Sequence, residues 1–246
     1  MALQEELEVA GNWLFRWRSY LPLVLLVPML MALGQFTCSA HDAAWREVWE
    51  LLCLLVSMTG AGLRILTVGF VPARTSGRNT HGQQAEALNT TGSYSIVRHP
   101  LYLANFLIWL GIALFLGVWW FVFLFVTLFW LYYERIMYAE EQFLRRQFGQ
   151  LFVDWSNRVP AFIPNPLKWQ RPAMPFSVKT VLKRECATIF AIAIGFPAFD
   201  LVEDTCLFGS LHVAHFFIVL ACAGTAVYLL LRALKKRTRL LDVEGR

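Results

Sequence analysis

The chain alternates long apolar runs with shorter polar connections. Six runs approach or reach the roughly 20 residues that a helix needs to cross a bilayer, at 20 to 37, 47 to 71, 101 to 116, 118 to 137, 183 to 202 and 210 to 232. The third and fourth runs are separated by little more than Gly117, which predicts an antiparallel helical hairpin whose first helix begins at Pro100. The pattern predicts an all-α integral membrane protein with about six transmembrane helices.

Composition supports the same class. Hydrophobic residues make up 57% of the chain and charged residues 16%, and the mean hydropathy is +0.50. Soluble domains carry about a quarter charged residues. The five cysteines are scattered without a CxxC spacing, so neither a disulfide framework nor a zinc site is expected. The N-terminus holds glutamates before the first apolar run and no small-residue cleavage site, which argues against a removed signal peptide.

The distribution of lysine and arginine predicts the orientation, because positive residues are retained on the cytoplasmic side. With six spans and both termini cytoplasmic, the loops on the outer side hold only Arg46 as a basic residue. The net charge of +5 then reflects topology and attraction to anionic lipids, and gives no reason to expect nucleic acid as a partner. The oligomeric state is not specified by these features.

Two basic features precede the central part of the chain. The polar loop from 72 to 89 is long for a helix connection and could present Arg74, Arg78 and several hydroxyls to a phosphate or carboxylate, although a solvated linker is an equally ordinary use of such a loop. Arg64 lies near the end of the second run. Its side chain could extend to the cytoplasmic surface or face the bundle interior.

Arg98 and His99 stand directly before the third apolar run. Pro100 restricts His99 to an extended conformation and favours the start of a helix. The Arg-His pair is therefore expected at the cytoplasmic mouth of the bundle. Taken alone, such a pair is also common as a topological signal.

Acidic residues lie at the end of the fourth run and just beyond it. Glu134 and Glu141 are two helical turns apart on one face, and Glu140 is turned by about 100 degrees. These acids predict a charged, aromatic-lined pocket at the same mouth, or else an interfacial helix whose acids pair with Arg145 and Arg146. The proline-rich stretch that follows predicts an amphipathic or re-entrant cytoplasmic segment over the mouth. His212 and His215 lack an evident third ligand, so no metal site is predicted.

Three pieces of sequence occur in a specific order from Thr90 to Pro164: GxYxxVRHPxY, a Glu-Glu pair, and FLxxxFGxxFxxWxxxVPxFIP. This arrangement resembles the integral-membrane methyltransferase superfamily, which contains isoprenylcysteine carboxyl methyltransferases, phospholipid methyltransferases and bacterial relatives. The resemblance implies S-adenosyl-L-methionine as cofactor on the cytoplasmic side and a lipid substrate that enters from the bilayer. A bacterial inner membrane is the expected location.

The resemblance also implies residue roles by motif position. The cofactor-binding candidates are Tyr94, His99, Pro100, Tyr102, Glu140, Glu141 and Leu144, with Pro160 shaping the pocket. Two positions depart from the family pattern: Phe152 replaces a frequent tyrosine, and Ala104 replaces a common glycine. The implied domains are 1–89 with two helices and the polar loop, a methyltransferase core at 90–166, and a two-helix extension with a basic tail at 167–246.

The acceptor decides which further residues take part. An anionic acceptor needs no general base but needs a cation, for which Arg98 and Arg78 are the catalytic candidates. Arg64, Arg74, Arg78 and Asn105 are the substrate-binding candidates. We therefore expect methyl transfer to an anionic lipid headgroup, with a lipid phosphate of the lipid A type favoured and an isoprenylcysteine carboxylate next. A phospholipid amine acceptor would instead require a base, for which Glu134 is available, and a non-catalytic transport or scaffold protein is the other alternative.

Overall fold

The computed structural model describes residues 2–18, 20–33, 35, 43–72, 75, 83, 85–209, 211 and 213–245, without the side chains of 21, 22, 43, 44 and 206–208. These residues form helices and no β-strand. The α-helices are α1 (Leu3–Trp17), α2 (Leu26–Leu33), α3 (Ala43–Phe70), α4 (Ser93–Ile96), α5 (Pro100–Phe115), α6 (Trp119–Phe148), α7 (Gln150–Ser156), α8 (Val178–Phe208) and α9 (His215–Arg237). Two 3-10 helices, Leu21–Leu25 and Pro166–Lys168, complete the described secondary structure.

Four of these helices, α3, α6, α8 and α9, are long and apolar enough to cross a membrane. The prediction of an all-α membrane protein is confirmed. The predicted count of six spans does not follow from helix length, because α5 and the stretch Leu23–Leu33 are apolar but shorter. The first predicted run begins as a 3-10 helix with a proline in its first turn, where the ring suits the helix start, and α2 ends at Leu33 rather than at 37.

The long helices alternate in direction. The amide of Ser177, at the start of α8, donates to the carbonyl of Gly69 at the end of α3 (2.9 Å). At the opposite end of the bundle, Arg46 near the start of α3 pairs with Asp204 late in α8 (3.0 Å). Helices α3 and α8 are therefore antiparallel. We call the end at Gly69 and Ser177 the basic end, because the last turns of α6 and α9 there carry arginine and lysine.

Helices α3 and α5 approach closely through small residues. A Cβ at Gly60 would lie 2.6 Å from the carbonyl oxygen of Ala104, so no larger residue fits there at this spacing. One turn earlier on α3, the hydroxyl of Ser57 donates to the carbonyl of Ile108 (2.7 Å). Small and hydroxyl residues at helix contacts are typical of membrane bundles. This contact brings the next turns of the two helices together at the basic end.

The segment after α7 folds back over the α5–α6 hairpin. The ring of Phe162 lies 5.8 Å from that of Phe106 on α5 and 5.5 Å from that of Trp130 on α6. Residues 116–118 join the two helices, as the position of Gly117 predicts. Helix α6 continues to Phe148 instead of ending at 137, so Glu140 and Glu141 belong to the same helix as the apolar run.

Helix α1 was not predicted. It packs against the second half of α6, where a Cβ at Gly11 would collide with the carbonyl oxygen of Arg135. The hydroxyl of Tyr132 on α6 also donates to the carbonyl of Leu14 (3.2 Å). The N-terminal helix therefore lies beside the basic end of the hairpin.

Candidate functional site

The motif around Arg98 is held by the segment that contains Pro160. The amide of Arg98 donates to the carbonyl of Pro160 (2.9 Å), and the amide of His99 donates to the carbonyl of Ala161 (3.3 Å). His99 is the residue before α5, and Pro100 is its first residue, as predicted. Two sequence motifs separated by about sixty residues thus share one backbone framework.

An apolar cluster supports this framework from behind. Phe152, Trp155 and Val159 are buried together, with Leu144 and Tyr94 packed against them. The indole of Trp155 donates to the carbonyl of Tyr94 (3.2 Å). Phe152 is only 3% exposed. A phenylalanine is suited to this place because a buried hydroxyl would need a partner.

Glu141 receives two hydrogen bonds from the Arg-His pair. Arg98 Nη1 donates to Oε2 (3.0 Å), and His99 Nε2 donates to Oε1 (2.9 Å). The carboxylate accepts both bonds because it has no hydrogen to give. Glu141 therefore fixes the two side chains of the motif.

Glu140 has different surroundings. Its Oε2 accepts a hydrogen bond from the hydroxyl of Tyr102 (2.9 Å) and lies 3.7 Å from His99 Nδ1. Among the described residues no hydrogen bond reaches its Oε1, and the side chain is 33% exposed. Glu140 thus keeps a carboxylate oxygen for a ligand, whereas both oxygens of Glu141 have protein partners.

The guanidinium of Arg98 contains a buried donor without a partner. Its Nε is inaccessible and makes no hydrogen bond within the described part of the chain. Leaving such a donor unsatisfied costs about 1–3 kcal/mol. A bound acceptor group would remove this cost.

Tyrosine rings line the same region. The ring of Tyr102 stacks on His99 at 5.5 Å and lies 4.9 Å from the ring of Tyr133. Burial, and then the neighbouring carboxylate of Glu140, raise the pKa of the Tyr94 hydroxyl above its ordinary value. The Tyr94 hydroxyl therefore remains protonated at neutral pH and can donate a hydrogen bond.

The remaining predicted residues fall in three groups. Arg64 faces the bundle interior, where it contacts Asn105 and Glu185. Glu134 is exposed and is not part of the carboxylate pair Glu140–Glu141. Arg74 and Arg78 lie outside the described residues, as does His212. The alternative pairing of the acids with Arg145 and Arg146 is not observed at Glu141, and Arg146 pairs with Glu8 instead (2.6 Å).

Two residues at the site were not predicted from the sequence. Tyr133 lies two turns before Glu140 on α6, a spacing that could have indicated it. Arg18 directly follows α1, which packs against the second half of α6, and its guanidinium lies 4.0 Å from the ring of Phe15. No pattern in the sequence placed Arg18 here, because the fold of α1 against α6 was itself unexpected.

Comparison with known proteins agrees with this geometry. Residues 48–151 match the family described as PEMT, phospholipid methyltransferase. This segment runs from α3 to the start of α7 and includes the Arg-His motif and the carboxylate pair. The resemblance to membrane methyltransferases inferred from the motifs is confirmed for residues 48–151.

Curated relatives are of two kinds. The nickel-cobalt-cadmium resistance protein NccN of Alcaligenes xylosoxydans xylosoxydans is 30% identical over 49% of this chain and 54% of that protein. The cobalt-zinc-cadmium resistance protein CzcN of Cupriavidus metallidurans is 30% identical over 57% of this chain and 61% of that protein. Protein-S-isoprenylcysteine O-methyltransferase B of Arabidopsis thaliana is 37% identical over 33% of this chain and 42% of that protein. The matches span between two fifths and about three fifths of these relatives, and no solved structure matches.

Proposed function

We propose that this protein is an S-adenosyl-L-methionine-dependent membrane methyltransferase that transfers a methyl group to an anionic lipid headgroup. The observation that carries the proposal is that Arg98 and His99 converge on the carboxylates of Glu141 and Glu140, which leaves Arg98 Nε and one Glu140 oxygen without a hydrogen bond among the described residues. The guanidinium of Arg98 is suited to bind an anion, and the carboxylate of Glu140 is suited to bind a cation. Within the methyltransferase domain, these are the two charges that an anionic acceptor and a sulfonium cofactor require.

The residues present fit the cofactor. Bound S-adenosyl-L-methionine supplies an electrophilic methyl group on a sulfonium. The carboxylate of Glu140 and the face of the Tyr102 ring would stabilise this cation. The protonated hydroxyl of Tyr94 offers a donor to the polar groups of the cofactor.

The protein's contribution to the reaction is alignment and exclusion of water. An anionic acceptor oxygen is already nucleophilic and needs no base. Arg98 would orient that oxygen through the exposed part of its guanidinium while Glu141 holds its Nη1. A lipid phosphate of the lipid A type is the favoured acceptor, and an isoprenylcysteine carboxylate, the kind of group named in the Arabidopsis relative, is second.

Two other functions are less well supported. Amine methylation would need a base, and the candidate Glu134 is exposed outside the carboxylate pair. A non-catalytic role in metal resistance is suggested by the names of NccN and CzcN. Within the described residues, no group of three His, Cys, Asp or Glu side chains is arranged to hold a metal ion.

We also propose six membrane crossings with both termini cytoplasmic, in a bacterial inner membrane. Antiparallel α3 and α8, and the basic last turns of α6 and α9, support this topology. The short stretch from Leu21 to Leu33 would make the first crossing, since Trp120 at the start of α6 donates to Gln35 just beyond it (2.8 Å).

Binding of labelled S-adenosyl-L-methionine to the purified protein tests the enzyme proposal directly. Saturable binding is expected, followed by methyl transfer to a lipid phosphate in mixed micelles. Parallel reactions with prenylcysteine and phosphatidylethanolamine separate the acceptors. Absence of binding at millimolar cofactor would overturn the proposal.

A further inference from the structure

We propose that Glu185, on α8, is a positioning residue of this site. It would hold Arg64 so that Asn105 keeps one orientation on α5, one turn from Tyr102 and next to the proposed cofactor pocket. The inference rests on the proposed function, and it assigns a task to a helix outside the segment that matches the methyltransferase family.

Arg64 and Glu185 form a bidentate ion pair across α3 and α8. Arg64 Nε donates to Oε2 (2.7 Å), and Nη2 donates to Oε1 (3.0 Å). Glu185 is 1% exposed, and the Arg64 side chain is 15% exposed. A pair so far removed from water adds little net stability compared with apolar residues, but it restricts both side chains to one geometry.

Glu185 is also fixed from its own helix. The hydroxyl of Thr188, one turn further along α8, donates to Glu185 Oε2 (2.9 Å). Both carboxylate oxygens therefore have donors. With its charge neutralised by Glu185, Arg64 is less suited to bind a substrate anion directly, which is the role predicted from the sequence.

The orientation of Arg64 determines that of Asn105. Arg64 Nη1 donates to Asn105 Oδ1 (2.5 Å). A guanidinium can only donate, so the oxygen of the Asn105 amide must face it and the NH2 group must face the other way. Asn105 lies one helical turn after Tyr102 on the same face of α5.

Tyr102 connects this network to the site. Its hydroxyl donates to Glu140 (2.9 Å), and its ring lies 4.9 Å from that of Tyr133. The ion pair between α8 and α3 is therefore linked through α5 to the residue that holds the open carboxylate. If Glu185 loses its charge, Arg64 is released, Asn105 can turn over, and the surroundings of Tyr102 change.

The test compares Glu185→Gln with the double variant Arg64→Met/Glu185→Met. Removing one partner of a buried pair destabilises a protein, whereas replacing both by apolar residues of similar size restores stability. We expect both variants to bind S-adenosyl-L-methionine roughly tenfold or more weakly, although the double variant regains the thermal stability of the wild type. Asp242→Asn, which removes an exposed pair with Lys183 on the same helix (2.7 Å), is the matched control and should bind normally.

A second measurement does not depend on the cofactor. With 3-fluorotyrosine at position 102, the fluorine NMR shift should change in both variants and stay constant in Asp242→Asn. Wild-type affinity in the stable double variant, or an unchanged fluorine shift, would overturn the positioning role. If the fluorine shift moves but the wild type binds no cofactor, the positioning role stands and the proposed function fails.

Discussion

Adjacent acidic residues at the site have separate tasks. Glu141 is held by Arg98 and His99, so it organises the motif. Glu140 has a single hydroxyl donor and an open oxygen, so it is the one that can contact a ligand. The difference arises because consecutive residues on a helix point about 100 degrees apart.

Glu140→Gln should weaken cofactor binding roughly tenfold to a hundredfold, because a hydrogen bond or close contact to a charged group contributes about 1.5–3 kcal/mol. Isothermal titration of the detergent-solubilised protein measures this loss. Asp154→Asn, an exposed acid on α7, is the control and should leave the affinity unchanged. Wild-type affinity in Glu140→Gln would show that this carboxylate does not meet the cofactor.

Arg98→Lys keeps the positive charge but removes Nε and the forked geometry of the guanidinium. One ammonium group cannot hold Glu141 and orient an acceptor as the guanidinium can. The Michaelis constant for the lipid acceptor should rise about tenfold or more in assays at saturating cofactor. The exposed Arg158→Lys serves as control, and equal constants for the two variants would contradict a role for Arg98 in acceptor binding.

At the scale of single elements, α1 was not expected from the sequence, yet it packs on α6 through Gly11 beside the basic end of the hairpin. Helix α8 contributes Glu185 from the other side. Elements from both ends of the chain therefore complete a site whose motifs lie in the middle.

Gly11→Leu should displace α1 from α6, since overpacking a close contact costs about 1–3 kcal/mol. Limited proteolysis should then cleave the N-terminal helix faster. Gly62→Leu is the matched control, because a Cβ at Gly62 meets no atom within 4 Å. Unchanged cleavage of Gly11→Leu would mean that α1 does not depend on this contact.

At the scale of the whole molecule, the charged site lies at the basic end of an apolar bundle. Helix α9 leaves Val219, Leu229 and Leu230 exposed, as a lipid-facing helix would. Asp242 beyond α9 pairs with Lys183 near the start of α8, so the C-terminal tail returns to the basic end. Amphipathic or lipid substrates could reach this end without leaving the bilayer.

The proposed topology predicts that cysteines introduced at Glu5 and Glu244 react with an impermeant maleimide only from the cytoplasmic side. A cysteine at Leu211, between α8 and α9, should react only from the opposite side. The measurement uses a variant without native cysteines in membrane vesicles of both orientations. Labelling of Glu5 and Glu244 positions from different sides would exclude an even number of crossings.

Much of the fold could be predicted because its pattern is local. A helix in lipid must pair its backbone hydrogen-bonding groups within the helix and present apolar side chains to the lipid. The helices α3, α8 and α9 could therefore be predicted from their apolar composition alone. The first run was also predicted, at 20 to 37, but its start as a 3-10 helix and the end of α2 at Leu33 were not. Helix α1 was not predicted because its close contact with α6 is made by Gly11, a residue that adds nothing to an apolar pattern.

The sequence by itself determined the class of the protein, the hairpin and the residues of the motifs, including Arg98, His99 and the carboxylate pair. Only the tertiary structure decided which acid is open and that Arg64 is neutralised by Glu185, 121 residues away. The physical reason is that such pairings depend on the rotation and close approach of whole helices. Periodicity specifies the face of a helix, but not the partner that this face meets.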